Sequence, residues 1–505
     1  VTKLFLLPVV CISVTPLVVS IVFITFAPVF NITTTMTEET NNSNRPIIER
    51  QMIAAGQEIE ELMEFYPCLR EICRGLKTGA YPAAMFAGAA FLGTLMTRCT
   101  YRFYHRPREL RRLNYSIFII GDPGSGKSFV STLYELLAEP IRKVSKEGEN
   151  AENRYRRKRK EWMDNGQKGD GPQKPKVLIR THPARTSNKV FIEDMIHATE
   201  MVDGKEMHLH MLSFDTELDN AIRQQGEAWN NKTYLELKAF HNEEDGQFYA
   251  NYDSELCNFN VFWNFVYTGT PNALKTKVNA QNIGNGFSTR LAAIPMPTTH
   301  FEMLKREEPK EAGVEPEEYK TMRMWAERLD KVHGELPIKQ LVDCCYDWAA
   351  DRMKDAEEDQ SKTDALLLKR VPYYGIAVSV PFIMMRHWDE WQQKGTLSID
   401  DTDLRLCRLA MDIQFWCQRH YFARYWDYYF MQQAQCISAP IQKRHTKLMR
   451  LRYSALPDEF SNLTLQVILG VPQRTAEKMI ERWYKDGFID RTETGLYKKL
   501  YLELT

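Results

Sequence analysis

Gly121-Asp122-Pro123-Gly124-Ser125-Gly126-Lys127-Ser128 lies between an apolar run, Tyr115 to Ile120, and a helical pattern beginning at Ser128 and continuing to Leu137. The octet has the spacing Gly-x4-Gly-Lys-[Ser/Thr], in the strand-loop-helix order of a phosphate-binding P-loop. Its glycines let backbone N–H groups approach phosphate oxygens, where the start of a helix adds partial positive charge. Lys127 would neutralise the β and γ phosphates, the Ser128 hydroxyl would bind magnesium, and the binding segment would run from Gly121 through Phe129. Composition alone produces this spacing in only about 0.02 of chains of this length. The expected ligands are therefore ATP and Mg2+.

Working downstream, such a site needs a carboxylate for magnesium and a base or orienter for the attacking water. The stretch His208 to Glu217 supplies both: Asp215 at a strand end would hold the metal through water, and Glu217 would polarise the nucleophilic water. Capping of the following helix is the ordinary alternative for both acids, and the Asp-x-Glu spacing leaves open which one acts on water. Phe259 to Tyr267 reads as another core strand ending in Thr268-Gly269-Thr270-Pro271-Asn272. Thr268 and Asn272 would sense the γ phosphate at the carboxyl edge of the sheet, with a plain turn as the alternative. Arg290 follows the glycine-rich Gly284 to Thr289, and from a neighbouring copy it would stabilise transition-state charge. A surface arginine is the plain alternative there.

Strands at Val177 to Arg180, His208 to Phe214 and Phe259 to Tyr267, alternating with helical stretches, imply a mostly parallel three-layer α/β core over residues 113–302. Residues 47–112 read as a helical lead containing the tightly packed small-residue stretch Ala80 to Gly93. A charged insertion, 139–176, reads as a solvated helix bearing Arg154, Arg156, Arg157, Lys158, Arg159 and Lys160, then a flexible linker. Residues 303–440 read as helical without strands. Residues 441–505 carry a net charge of +4 and read as a winged helix-turn-helix. Its second helix is Pro472 to Trp483, with Leu465, Val467, Ile468 and Leu469 packing behind it and a hairpin at Phe488 to Leu504. Basic and aromatic residues interleave from Arg98 to Arg108, which suits either single-stranded nucleic acid or plain packing.

Lys+Arg and Asp+Glu both total 66, so nucleic-acid binding would have to come from local basic patches. The ten cysteines include no Cys-x-x-Cys and suggest reduced, mostly buried thiols in a cytoplasmic chain. Leu4 to Phe30 is apolar enough to span a bilayer, but it contains Pro8, Pro16 and Pro28, and only Lys3 precedes it. We read residues 1–46 as an apolar extension and linker, with an upstream translation artefact or a dispensable extension favoured over membrane anchoring.

Residues from about Glu64 to Tyr421 resemble the YfjI-like family of P-loop ATPases of plasmids, prophages and conjugative elements, often described as helicases or primase-helicases. The resemblance is carried by Ala80 to Gly93, Gly121 to Ser128, the charged insertion, Asp215 to Glu217, Asp245-Gly246, Thr268 to Asn272, and Gly286 to Arg290. It extends through Leu368 to Arg370, Ile399 to Asp401, and Trp416. It implies a RecA-like or AAA+-type core, a ring assembly that is possibly hexameric, and work on single-stranded or forked DNA for a mobile element. On it, Arg290 gains weight as a finger acting in a neighbour, Arg370 becomes a second sensor candidate, and a separate primase becomes a candidate partner. A nucleotide-operated switch or defence ATPase, whose winged helix binds DNA or a protein without unwinding, is the alternative.

Overall fold

The computed structural model describes residues 46–183, 186–217, 232–247, 257–298, 316–437, 447–485 and 487–500. The chain divides into two units at Pro46, and the fold that follows is that of the second, from Ile47 onward. Among the described residues no helix is long and apolar enough to cross a membrane, and the run Leu4 to Phe30 lies outside them.

Helices α1 (Ile47–Leu62), α2 (Pro67–Cys73) and α3 (Tyr81–Leu95) form the lead. Every residue of α3 from Pro82 on is buried, because its alanines and glycines let neighbouring elements approach closely. A Cβ at Gly93 would stand 1.8 Å from the Tyr115 hydroxyl oxygen. The lead is not all helical, which corrects that expectation: β1 (Arg98–Arg102) and β2 (Leu110–Arg111) pair antiparallel. The alternation of buried and solvent-facing residues along β1 is a strand period that the surrounding helical pattern obscures.

The core begins with β3 (Ser116–Ile120), all five residues buried, and continues through α4 (Phe129–Leu137) into α5 (Glu139–Asp164). Then come α6 (Asn188–His197), the hairpin β4 (Thr199–Val202) and β5 (Lys205–His208), and β6 (Met211–Asp215). After α7 (Thr233–Ala239) a second hairpin, β7 (Glu244–Gln247) and β8 (Cys257–Asn260), leads into β9 (Trp263–Gly269), α8 (Pro271–Lys277) and β10 (Ala292–Pro295). Four of these strands form a wholly parallel sheet in the order β10-β3-β9-β6. The run expected as one strand from Phe259 breaks at Val261–Phe262, because its first part pairs across the hairpin and only its second joins the sheet. His208 likewise belongs to a hairpin rather than to β6. The strand expected at Val177 to Arg180 is reduced to an edge contact, in which Leu212 N donates to Arg180 O (2.7 Å) and Thr181 bridges Leu212 in parallel.

Beyond the core lie α9 (Glu317–Leu329), β11 (His333–Glu335), α10 (Lys339–Glu358), α11 (Lys362–Leu367), α12 (Val371–Arg386), α13 (Trp388–Lys394) and α14 (Asp401–Ile437). The short strand β11, parallel to β1, corrects the expectation of a strand-free region. Three residues are too few to leave a period in the sequence. The fully buried Asp403 carboxylate fastens this region to the lead, accepting from the Tyr66 hydroxyl (2.7 Å) and Arg386 Nη1 (2.9 Å) and meeting His387 Nε2 at 2.8 Å. Cys344 and Cys345 are buried free thiols, as are Cys68, Cys73, Cys99, Cys407 and Cys417.

The last segment comprises α15 (Lys447–Ser454), β12 (Glu459–Ser461), α16 (Asn462–Leu469), α17 (Gln473–Lys485) and the hairpin β13 (Ile489–Glu493) and β14 (Leu496–Lys499). Its three strands run β12-β14-β13, around a separate core that includes Tyr453, Phe460, Leu465 and Trp483. Gly470, in the left-handed conformation, ends α16 and sets the turn into α17. Leu465 packs inward as expected, but Val467 is 74% exposed and Ile468 is 44% exposed. At about 100° per residue Val467 points away from the face of Leu465 and into solvent, whereas Ile468, one turn on, lies at the rim of that face and is only partly exposed.

Candidate functional site

Three chain segments leave the carboxyl edge of the parallel sheet side by side. From β3 comes the loop Gly121 to Ser128, from β9 the segment Thr268 to Asn272, and from β6 Asp215 to Glu217. Because β9 lies between β3 and β6, Asp215 stands two strand spacings from the loop strand, about 10 Å. The sheet registers Ile120 with Gly269 and Tyr267 with Asp215.

The loop is built around its lysine. Gly124 and Gly126 take φ values of +79° and +81°, which residues with a Cβ rarely adopt. A Cβ at Gly121 would meet Ser125 Oγ at 2.5 Å and Met296 Cβ at 2.7 Å. The Lys127 ammonium donates to the carbonyls of Gly121 and Asp122, both at 2.7 Å, and to Ser125 Oγ at 3.3 Å. Partial burial lowers its pKa, against the Asp122 carboxylate, which raises it. Such a cation gains from an incoming anion, since the carbonyls supply only partial charges. Asp122, Pro123, Gly124, Gly126 and Ser128 are exposed, and among the described residues Ser128 Oγ has no hydrogen-bond partner. The Phe129 side chain is partly buried and opens α4.

The acid segment is tied to the loop strand's neighbour: Thr268 Oγ1 donates to Thr216 O at 2.6 Å, and Glu217 N donates to Asp215 Oδ1 at 3.0 Å. Thr268 is thus engaged with the backbone between the two acids. Asn272 is exposed in the first turn of α8, while its neighbour Thr270 caps that helix by accepting from Ala273 N. Among the described residues no group of three His, Cys, Asp or Glu side chains converges on a metal position. Ser128 and Asp215 are single oxygen-bearing side chains, which would hold Mg2+ only with phosphates and water supplying the remaining ligands.

Arg290 stands at the opposite edge. Register places Ala292 beside Ile117, so Arg290 is level with Tyr115, about 20 Å below Gly121 along the strands. It cannot reach the loop of its own chain. Its Nη1 donates to Gly286 O (3.1 Å), its Nη2 lies 4.0 Å from Glu243 Oε1, and its buried Nε has no hydrogen-bond partner among the described residues. Arg370 donates to Thr289 Oγ1, and the two guanidinium groups flank Gly286. Burial and the charge of Arg290 push the Arg370 pKa down to about 10. Burial together with Arg111, Arg370, Arg290 and Arg106 pushes His241 down to about 3. A cavity of about 350 Å3 beside this cluster is lined by residues including Arg111, Arg112, His241 and Tyr373.

Tyr374 has no sequence signal, yet its hydroxyl lies 2.9 Å from both Ser116 O and Arg290 O and so joins the loop strand to the arginine segment. Glu243 and His241 were also missed, since each gains meaning only from what the fold sets beside it. The aromatic residues of the stretch from Arg98 pack inward, while His105, Arg106 and Arg108 are exposed. Tyr101 and Phe103 are buried, Phe103 stacks on Tyr373 with ring centroids 4.2 Å apart, and Arg98 and Arg102 are paired with Glu200 and Glu335. Searched against known protein families and curated proteins, the chain matches none.

Proposed function

We propose that this chain is a P-loop ATPase that couples hydrolysis to movement on, or remodelling of, DNA, and that it works as a ring of like subunits. One observation carries the reading: a glycine loop closed around the Lys127 ammonium shares one sheet edge with Asp215 and Glu217, with Thr268 on the strand between. ATP would lie across Gly121 to Phe129, with Lys127 and a magnesium ion at Ser128 and Asp215 gathering its phosphates. Glu217 would orient water. Asn272 would face the γ phosphate, and Arg290 would serve the neighbouring subunit's nucleotide rather than its own, which accords with its position about 20 Å from the loop. The strand order supports a RecA-like or AAA+-type core, and the order α15, β12, α16, α17, β13, β14 supports a winged helix. The YfjI-like resemblance points the same way.

The test is ATP turnover, with and without single-stranded DNA, alongside a mass determination in ATP. Lys127→Ala is expected to abolish turnover, and an equal rate in the variant would reject the assignment. The second reading, a nucleotide-operated switch that unwinds nothing, draws support from the exposed Leu463 and Val467 on α16, a surface suited to a protein partner. Turnover indifferent to DNA and no strand displacement on a forked substrate would favour it.

A further inference from the structure

The insertion after α4 is a rooted arm rather than a loose linker. In α5 only Ile141, Ser145 and Gly148 are buried, all in its first ten residues. Ser145 Oγ accepts from Arg180 N (3.0 Å) and Thr181 N (3.2 Å), and a Cβ at Gly148 would press on Leu178 O at 2.9 Å. This half of the helix clamps the edge of the sheet. The half from Glu149 to Asp164, about 24 Å long, has no fully buried residue, and only Glu149, Ala151, Glu152, Tyr155 and Trp162 along it are partly covered. At its tip the Trp162 indole donates to Gly169 O (3.1 Å), and Gly171 packs on the same ring, so the following segment folds back on the helix.

The arm concentrates charge in a chain that is neutral overall. Residues 154–176 hold nine Lys/Arg and three Asp/Glu, a net of +6. At about 100° per residue, Arg154, Arg156, Arg157, Lys158, Arg159 and Lys160 point to every side of the helix. Among the described residues only Arg156 of these six has a carboxylate partner, Glu152 at 2.9 Å, while Arg157 meets the Asn153 carbonyl. Among the described residues Arg154, Lys158, Arg159 and Lys160 have neither an ion pair nor a hydrogen bond. Clustering unpaired like charges costs free energy through self-repulsion, which a polyanion relieves. A membrane-surface helix would carry an apolar stripe opposite its cations, and here cations occupy every side.

We propose that this arm is a sequence-independent grip on duplex DNA that lies along the major groove. A groove about 12 Å wide admits an α-helix and sets phosphates on both of its walls, matching cations on all sides. A single strand would meet only one side of the arm, and the deep, narrow groove of duplex RNA excludes it. The inference rests on the DNA half of the function proposed above and is independent of the nucleotide site.

The test compares the full chain with a variant carrying Arg154→Gln, Arg157→Gln, Lys158→Gln, Arg159→Gln and Lys160→Gln, all exposed positions. Binding to a fluorescein-labelled DNA duplex, the matching single strand, an RNA duplex and anionic lipid vesicles is followed between about 50 and 200 mM salt. ATP turnover without nucleic acid is measured beside it. The expected result is a duplex-DNA salt slope smaller by about 3 to 4.5, a smaller change for the single strand, and unchanged turnover. Equal duplex affinity and slope in the two proteins would overturn the grip, as would absence of DNA binding by the full chain. A loss confined to vesicles, or equal for single strand and duplex, would overturn it too. Turnover missing from a chain whose DNA binding still depends on the arm would sink the ATPase reading and leave the grip standing.

Discussion

If Arg290 serves a neighbour, activity lost by mutating it is recoverable from a second mutant. Arg290→Ala leaves its own Lys127 loop intact about 20 Å away, while Lys127→Ala destroys the loop and leaves Arg290 in place. Each variant alone should be inactive. Loss of a transition-state arginine lowers kcat by about 10^3 to 10^5, or about 4 to 7 kcal/mol. In a ring assembled at random from equal amounts, about a quarter of interfaces pair an intact loop with an intact arginine, so the mixture should recover about a quarter of wild-type turnover. The assay is steady-state ATP hydrolysis on co-refolded or co-expressed mixtures, with light scattering to confirm mixed assembly. Arg290 is only 14% exposed in its side chain, so thermal melts must show that the alanine variant is folded. Folded, co-assembled mixtures no more active than the sum of the separate variants would refute action between subunits. A fully active Arg290→Ala would remove the residue from the site altogether.

Gly93→Ala should cost more than a usual helix substitution, because its methyl carbon would stand 1.8 Å from the Tyr115 hydroxyl, which itself donates to Ala377 O. Overpacking of this kind costs about 1–3 kcal/mol, readable as a lowered denaturation midpoint, and an unchanged midpoint would show that Tyr115 can move aside. Acid should weaken the fold through His241. Its pKa falls from 6.5 to about 3 on folding, so below pH 6.5 the unfolded chain binds the extra proton and stability declines as pH drops toward 3. At pH 5 that single group accounts for about 2 kcal/mol, and His241→Gln should shrink the stability difference between pH 7 and pH 5 by that amount. An identical difference in the variant would mean that the imidazole is not held neutral.

The loop was legible because its chemistry is local: eight consecutive residues fix both the backbone turn and the cation. Asp215 and Thr268 could be placed at strand ends from short apolar runs, and the structure sets them at the same sheet edge as the loop. Strand boundaries were less legible where a run serves two partners, since Phe259 belongs to a hairpin and Phe265 to the sheet while the mostly apolar run, broken only by Asn260 and Asn264, carries no turn signal between them. The short strands β1, β2 and β11 were hidden for a different reason. β1 and β11 are held by pairing across more than two hundred residues, as between Cys99 and Gly334, and β2 is two residues that pair back onto β1, so no local pattern records either. The interleaved aromatics from Arg98 show the same limit, for a stacking surface and a packed strand look alike until Tyr373 is seen lying on Phe103.

The position of Arg290 also bears on how two distant groups could act as one unit. Its carbonyl and that of Ser116 share the Tyr374 hydroxyl, so the foot of the loop strand and the arginine segment are held by a single buried oxygen. Gln418, from α14, donates to the carbonyls of Ser288 and Leu291 on either side of the arginine, fixing the same segment from the helical region. A strand whose upper end would adjust to a phosphate and whose lower end carries this bond would give a direct route between a subunit's own loop and the arginine it would offer to its neighbour. On this reading Tyr374 is a positioning residue, because it touches backbone at both ends and lies far from the phosphates. Removing its hydroxyl should therefore leave nucleotide affinity nearly intact while weakening the coordination of hydrolysis around a ring, a separation that loss of fold alone would not produce.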